Sequence, residues 1–126
     1  SATCWSNYKQ YFPVTGNGYG YDLKDLVTYY GLYQDLMEFW QKKYGDRIYD
    51  LDYDKLTLNQ EEETKKLVEY LNLVWEKACL SPQDNNRSVN TASNLQIRKK
   101  VYQGSSEQWR KYESFLMGAF DNLKNI

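Results

Sequence analysis

The sequence predicts a mainly α-helical chain with a single short strand. Two observations carry that expectation: apolar residues return at helical spacing in three separate stretches, and only one stretch alternates with the two-residue period of a strand. The length of 126 residues sets the scale at one domain, 1–126, able to bury about two-thirds of its unfolded surface.

Residues 1–12 mix polar and aromatic side chains as a short helix does, ended by Pro13 and the turn Gly16-Asn17-Gly18-Tyr19-Gly20. The glycines follow no strand and precede no phosphate-binding lysine, so they read as a plain loop. From Asp22 to Tyr44, Leu23, Leu26, Val27, Tyr30, Tyr33, Leu36, Met37 and Trp40 keep helical spacing. Asp22 is placed as N-cap, and Gly45 is the residue expected to stop the helix. A second helix is expected over Gln60 to Asn72, with Asn59 and Glu62 as a capping box and Leu67, Val68 and Leu71 on one face. A third opens near Ser105 or Ser106 and carries Trp109, Tyr112, Leu116, Phe120 and Leu123 toward the C-terminus. Between the first two, residues 47–53 set Tyr49, Leu51 and Tyr53 on one side of a strand. A lone strand cannot satisfy its own backbone donors and acceptors, so it calls for a partner from outside this chain or from a second copy.

Sixteen Lys and Arg against seventeen Asp and Glu leave a net charge of -1, which gives no cationic excess for unspecific binding to nucleic acid or anionic lipid. No stretch approaches the roughly 20 apolar residues of a spanning helix. The chain has no His, which removes imidazole as base, shuttle or ligand and with it the Ser-His-Asp and Cys-His hydrolases. Cys4 and Cys79 form neither a CxxC pair nor a disulfide framework, and the N-terminus shows no signal-peptide pattern; both features suit reduced thiols in a cytoplasmic protein.

Among candidate sites, Asp46, Asp50, Asp52 and Asp54 read as a solvated strand edge rather than a cation site, and Glu61, Glu62 and Glu63 as first-turn carboxylates favoured by the helix dipole. No metal site is expected. Tyr30, Tyr33 and Trp40 are expected in the core, and exposure of Tyr29 and Tyr44 would point instead to a partner- or sugar-binding face. The segment 87–106 differs in character: Arg87, Arg98, Lys99 and Lys100 with many hydroxyls lead into a helix start, which are the components of an anion site. A flexible polar loop fits the same residues.

Several motifs together resemble a known family. They are Tyr49-Asp50-Leu51-Asp52-Tyr53-Asp54-Lys55-Leu56, Leu73-Val74-Trp75-Glu76-Lys77-Ala78-Cys79-Leu80, Thr91-Ala92-Ser93, Gln96-Ile97-Arg98, and Ser105-Ser106-Glu107-Gln108-Trp109-Arg110-Lys111-Tyr112. In that order and spacing they resemble the C-terminal half of bacterial sulfotransferases of the tetratricopeptide-associated, tyrosylprotein sulfotransferase-like type. The resemblance implies the helical half of a P-loop-like α/β/α domain with an incomplete parallel sheet. It also implies transfer of a sulfuryl group from phosphoadenosine phosphosulfate to an acceptor hydroxyl or amine, without metal.

By the same resemblance, Ser6 matches a serine that grips the nucleotide's 3′-phosphate, Arg98 matches a cationic position of the cofactor loop with Lys99 beside it, and Arg110 stands next to a position, Gln108, usually held by Arg or Lys. Ser93 matches a hydroxyl that donates near the bridging sulfate oxygen, the one catalytic assignment. The family's phosphosulfate loop has no match in the sequence. The expected protein is therefore a truncated sulfotransferase domain without detectable turnover, binding nucleotide weakly or not at all and self-associating through a bare strand edge or apolar faces. The rival expectation is a non-enzymatic helical module that binds a protein or carbohydrate partner.

Overall fold

The computed structural model describes residues 1–13, 15–89, 97–121 and 123. Four α-helices are present among them: α1 (Ala2–Tyr8), α2 (Leu23–Tyr44), α3 (Tyr53–Leu58) and α4 (Gln60–Tyr70), with 3-10 turns between and after them. The chain divides into two compact units, one of residues 1–48 with 104–126 and one of residues 49–103.

The first unit is built on α2. The Asp22 carboxylate accepts from the backbone N–H of Lys24 at 2.8 Å and of Asp25 at 3.0 Å, satisfying two of the orphan donors that open a helix. The α-helix ends at Tyr44 as expected, but Gly45 does not end it through a left-handed cap. Its φ of -56° is right-handed, and the chain tightens into a 3-10 turn, Gly45–Arg47. Upstream, the Tyr21 hydroxyl accepts from the Phe12 N–H at 3.0 Å and donates to the Phe12 carbonyl at 2.8 Å, closing the loop that contains Pro13 and the glycines.

The core of this unit is Cys4, Leu26, Leu116 and Phe120, with Trp5, Leu23, Val27, Tyr30 and Trp109 packed around it. Leu116 and Phe120 thus bury as their spacing predicted, although the element carrying them is not an α-helix opening at Ser105 or Ser106. It is a 3-10 helix, Gln108–Phe115, followed by turns in which Met117 and Gly118 take positive φ, 49° and 71°. That left-handed pair breaks the helical run and lets Phe120 turn back to the core.

The core is small, and most of α2 stays outside it. Tyr33 is 47% exposed and Trp40 37%, which overturns their expected place in the core; Tyr30 is half-buried. Tyr29 and Tyr44, whose exposure was the test, are exposed at 49% and 38%.

In the second unit the Asp52 carboxylate accepts from the Lys55 N–H at 3.0 Å and starts α3. This corrects the strand expected over residues 47–53. The backbone is extended at Ile48 and Asp52, but the described residues contain no strand, and Tyr53 already belongs to the helix that Asp52 caps. Asp50 and Asp52 therefore do not share a strand edge. Asn59 precedes α4 without a side-chain cap because it also closes α3, so the capping box does not form.

Helix α4 ends at Tyr70, two residues before the expected Asn72. There Asn72 takes φ 53°, the Leu73 N–H donates to the Val68 carbonyl at 3.0 Å and the Asn72 N–H to the Glu69 carbonyl at 2.9 Å. This is a Schellman motif with Asn in the left-handed position. Val68 is buried and Leu67 half-buried, while Leu71 is exposed. No helix among the described residues is long and apolar enough to cross a membrane.

Candidate functional site

The cationic loop of the second unit is organised by Arg98. Its guanidinium donates through Nη1 to the Asn85 carbonyl and through Nη2 to the Arg87 carbonyl at 2.7 Å, while the Arg87 N–H donates to Asn85 Oδ1 at 2.9 Å. Two carbonyls, thirteen and eleven residues upstream, are thus clipped by one side chain. A guanidinium has five N–H donors in a fixed fork. Arg98 spends only part of them on the clip, and Arg98, Lys99 and Lys100 are all exposed. These residues can hold one anionic oxygen group at the surface by charge-assisted hydrogen bonds.

The remaining candidates lie in the first unit. Ser6 is exposed on α1, and its neighbour Trp5 stacks on Tyr112 with ring centroids 4.6 Å apart. Arg110 stands two residues before Tyr112 and lies over the Trp109 ring, 4.9 Å from its centroid. Its Nε is ion-paired with Glu107, whose carboxylate raises the Arg110 pKa above its ordinary value through the hydrogen bond they share. A phosphate at Arg110 would meet a guanidinium whose Nε is shared with a carboxylate.

The helix start expected at Ser105 or Ser106 is at Gln108 instead, with Glu107 itself in the N-cap position. Ser93 lies outside the described residues. Ser6 and Arg110 belong to one unit and Arg98 and Lys99 to the other.

Of the acidic residues singled out in the sequence, Asp52, Glu61, Glu62 and Glu63 serve the helices. Lys65 pairs with Glu61 at 2.6 Å, and Lys66 with Glu62 and Glu63, both at 2.7 Å. Hydrogen bonding to these lysines holds Glu61 and Glu62 below the ordinary carboxylate value, and the Lys55 backbone N–H does the same for Asp52. Among the described residues no group of three His, Cys, Asp or Glu is placed to hold a metal ion.

A family profile described as "Sulfotransferase family" matches residues 1–77, more than half of the chain. The chain belongs to the sulfotransferase family. The matched residues include Ser6 and end before Ser93, Arg98, Lys99 and Arg110. Sulfotransferases in general use phosphoadenosine phosphosulfate as co-substrate. A protein of Aquifex aeolicus (strain VF5), described as "Uncharacterized protein", is 36% identical over 121 residues, covering 94% of this chain and 16% of that protein. The sulfotransferase chain thus spans a small part of its relative's length. No solved structure matches it.

Arg98 with Lys99 supplies charge and directed N–H groups, and two of the Arg98 nitrogens are turned to carbonyls; in the other unit Arg110 shares its Nε with Glu107. An exposed cationic loop of this kind binds anions weakly, because water competes for every donor.

Proposed function

We propose that this chain is the C-terminal, mostly helical part of a P-loop-like sulfotransferase domain and contributes phosphate donors to the binding of phosphoadenosine phosphosulfate. The full domain would transfer the sulfuryl group to an acceptor hydroxyl or amine. The family match over residues 1–77 supports the sulfotransferase part of the reading, and the donor roles rest on the resemblance of the motifs.

In it, Ser6 donates its hydroxyl to the 3′-phosphate, Arg98 and Lys99 neutralise a nucleotide phosphate, and Arg110 adds cationic charge once Glu107 yields it. Ser93 donates a hydrogen bond near the bridging sulfate oxygen, where negative charge develops as the sulfuryl group leaves. Loss of one such transition-state donor lowers turnover on the order of a hundredfold or more. The catalytic base and the phosphosulfate loop come from outside these residues.

Calorimetry with phosphoadenosine phosphate, beside a radiolabelled transfer assay on phenolic and sugar acceptors, tests the reading. Weak binding and no turnover are expected of this chain. Micromolar binding abolished by Ser6→Ala or Arg98→Ala would mean that these residues already make a complete phosphate site. Measurable turnover would overturn the assignment of the base and loop to other residues.

A second proposal concerns assembly. The strand edge expected to drive self-association is replaced by the α3 cap, but Leu32, Leu36 and Phe39 on α2 are exposed at 63%, 52% and 52%. Apolar area of this kind favours association, so we infer a dimer or higher oligomer, and a strict monomer in light scattering at high concentration would contradict it.

A further inference from the structure

Helix α1 and the N-terminal half of α2 enclose a cleft of about 240 Å³. Four tyrosines, Tyr19, Tyr29, Tyr30 and Tyr33, form its walls, with Asn7 at the side and Cys4 at the buried floor. We propose that this cleft is a binding site for one uncharged aromatic ring. The proposal rests on the first unit alone and stands apart from the sulfotransferase reading.

Charge argues for the class of ligand. Among the described residues no Asp, Glu, Lys or Arg lines the cleft, so an ion entering it would lose water and gain no counter-charge from them. Size argues for a single ring, because the volume is below the roughly 300–1,000 Å³ that takes a drug-sized molecule. The walls are set before any ligand arrives. Tyr19 and Tyr29 stack with centroids 3.9 Å apart and planes 10° apart, and Tyr30 and Tyr33 meet at 5.6 Å and 41°. Rings already held in place lose little freedom on binding. Tyr29 and Tyr33 remain about half exposed, at 49% and 47%, so aromatic surface is left for a guest to stack on.

A pyranose ring stacks on tyrosine faces and bonds to hydroxyls such as those of Thr3 and the four tyrosines, so it is the class that competes for the cleft; the Asn7 amide nitrogen is already donating to the Thr3 carbonyl at 3.2 Å. Asn7 keeps its carbonyl oxygen as acceptor, which suffices for one phenolic or indole N–H or O–H donor.

The test is a titration of the protein with phenol, followed through the ring resonances of isotopically labelled tyrosine, with methyl glucoside as the competing class. Saturable shifts confined to Tyr19, Tyr29, Tyr30 and Tyr33 are expected, with Tyr53 and Tyr102 of the second unit unmoved. Removing one stacking ring in Tyr29→Ala or Tyr33→Ala is expected to weaken phenol binding roughly fivefold. If those variants fail to fold, the shift map on the unaltered protein decides. Shifts spread over all tyrosines, variants that bind like the parent, or methyl glucoside binding as tightly as phenol would each overturn the proposal.

Discussion

The Trp5 indole stacks on the Tyr112 ring with centroids 4.6 Å apart and planes 26° apart, and this contact fastens α1, which carries Ser6, to the 3-10 segment that carries Arg110. Because Trp5 also packs on the Cys4–Leu26–Leu116–Phe120 core, the stack couples a candidate site to the stability of the first unit. A double-mutant cycle of Trp5→Ala and Tyr112→Ala in denaturant unfolding is expected to show a coupling of about 1 kcal/mol. Additive losses would mean the rings do not support each other.

Leu26 is 2% exposed and Leu32 is 63% exposed on the same helix. Leu26→Ala should destabilise the first unit by about 2–5 kcal/mol, as buried Leu to Ala changes do, and a core this small leaves little reserve. Leu32→Ala should stay within about 0.5 kcal/mol. Equal effects in chemical unfolding would show that the buried core is misassigned.

Much of this architecture is legible in the sequence, and the failures share a physical cause. Asp22 and the apolar spacing behind it locate α2 because cap and periodicity are both local. The alternation at Tyr49, Leu51 and Tyr53 gives the extended backbone but not a strand. Alternation carries no information about a pairing partner, and Asp52 captures the Lys55 N–H first. The spacing of Leu116 and Phe120 identifies core residues, yet cannot separate α from 3-10 winding interrupted at Met117 and Gly118. Tyr33 and Trp40 show the same limit from the other side: an apolar stripe says what can be buried, not what covers it. The cationic character of the loop around Arg98 is plain from composition. Its clip onto Asn85 and Arg87 joins residues thirteen and eleven positions apart, and no local signal announces such a contact.

Both thiols are free, and they differ in environment. Burial pushes the Cys4 thiol above its ordinary value of 9.0, so it is both inaccessible and protonated at neutral pH. Alkylation of the native protein should modify Cys79 readily and Cys4 only at the rate of unfolding. Since the raised folded value favours the protonated thiol, its contribution is complete below pH 9.0 and lost as pH rises through the folded value. Equal alkylation rates would contradict the buried position of Cys4.

Acid should act on the second unit first. The lowered values of Glu61 and Glu62 mean that their lysine pairs stabilise α4 above the ordinary value of 4.5 and are lost as pH falls through the folded values. The Asp52 cap follows the same sign from 3.8 downward. Far-UV circular dichroism should therefore lose helix only below about pH 4.5, by a small amount because these pairs are exposed. Lys65→Ala with Lys66→Ala should flatten that limb. An unchanged acid limb in the double variant would remove the pairs from the account.

The most direct test of the central claim, that this chain supplies phosphate donors to a sulfotransferase domain, is calorimetric titration of the protein and of Arg98→Ala with phosphoadenosine phosphate, using adenosine 5′-monophosphate as the control lacking the 3′-phosphate. The account predicts weak, salt-sensitive binding that prefers the 3′-phosphorylated nucleotide and falls severalfold in Arg98→Ala. Equal heats from the two nucleotides, or an Arg98→Ala variant that binds like the parent, would contradict it.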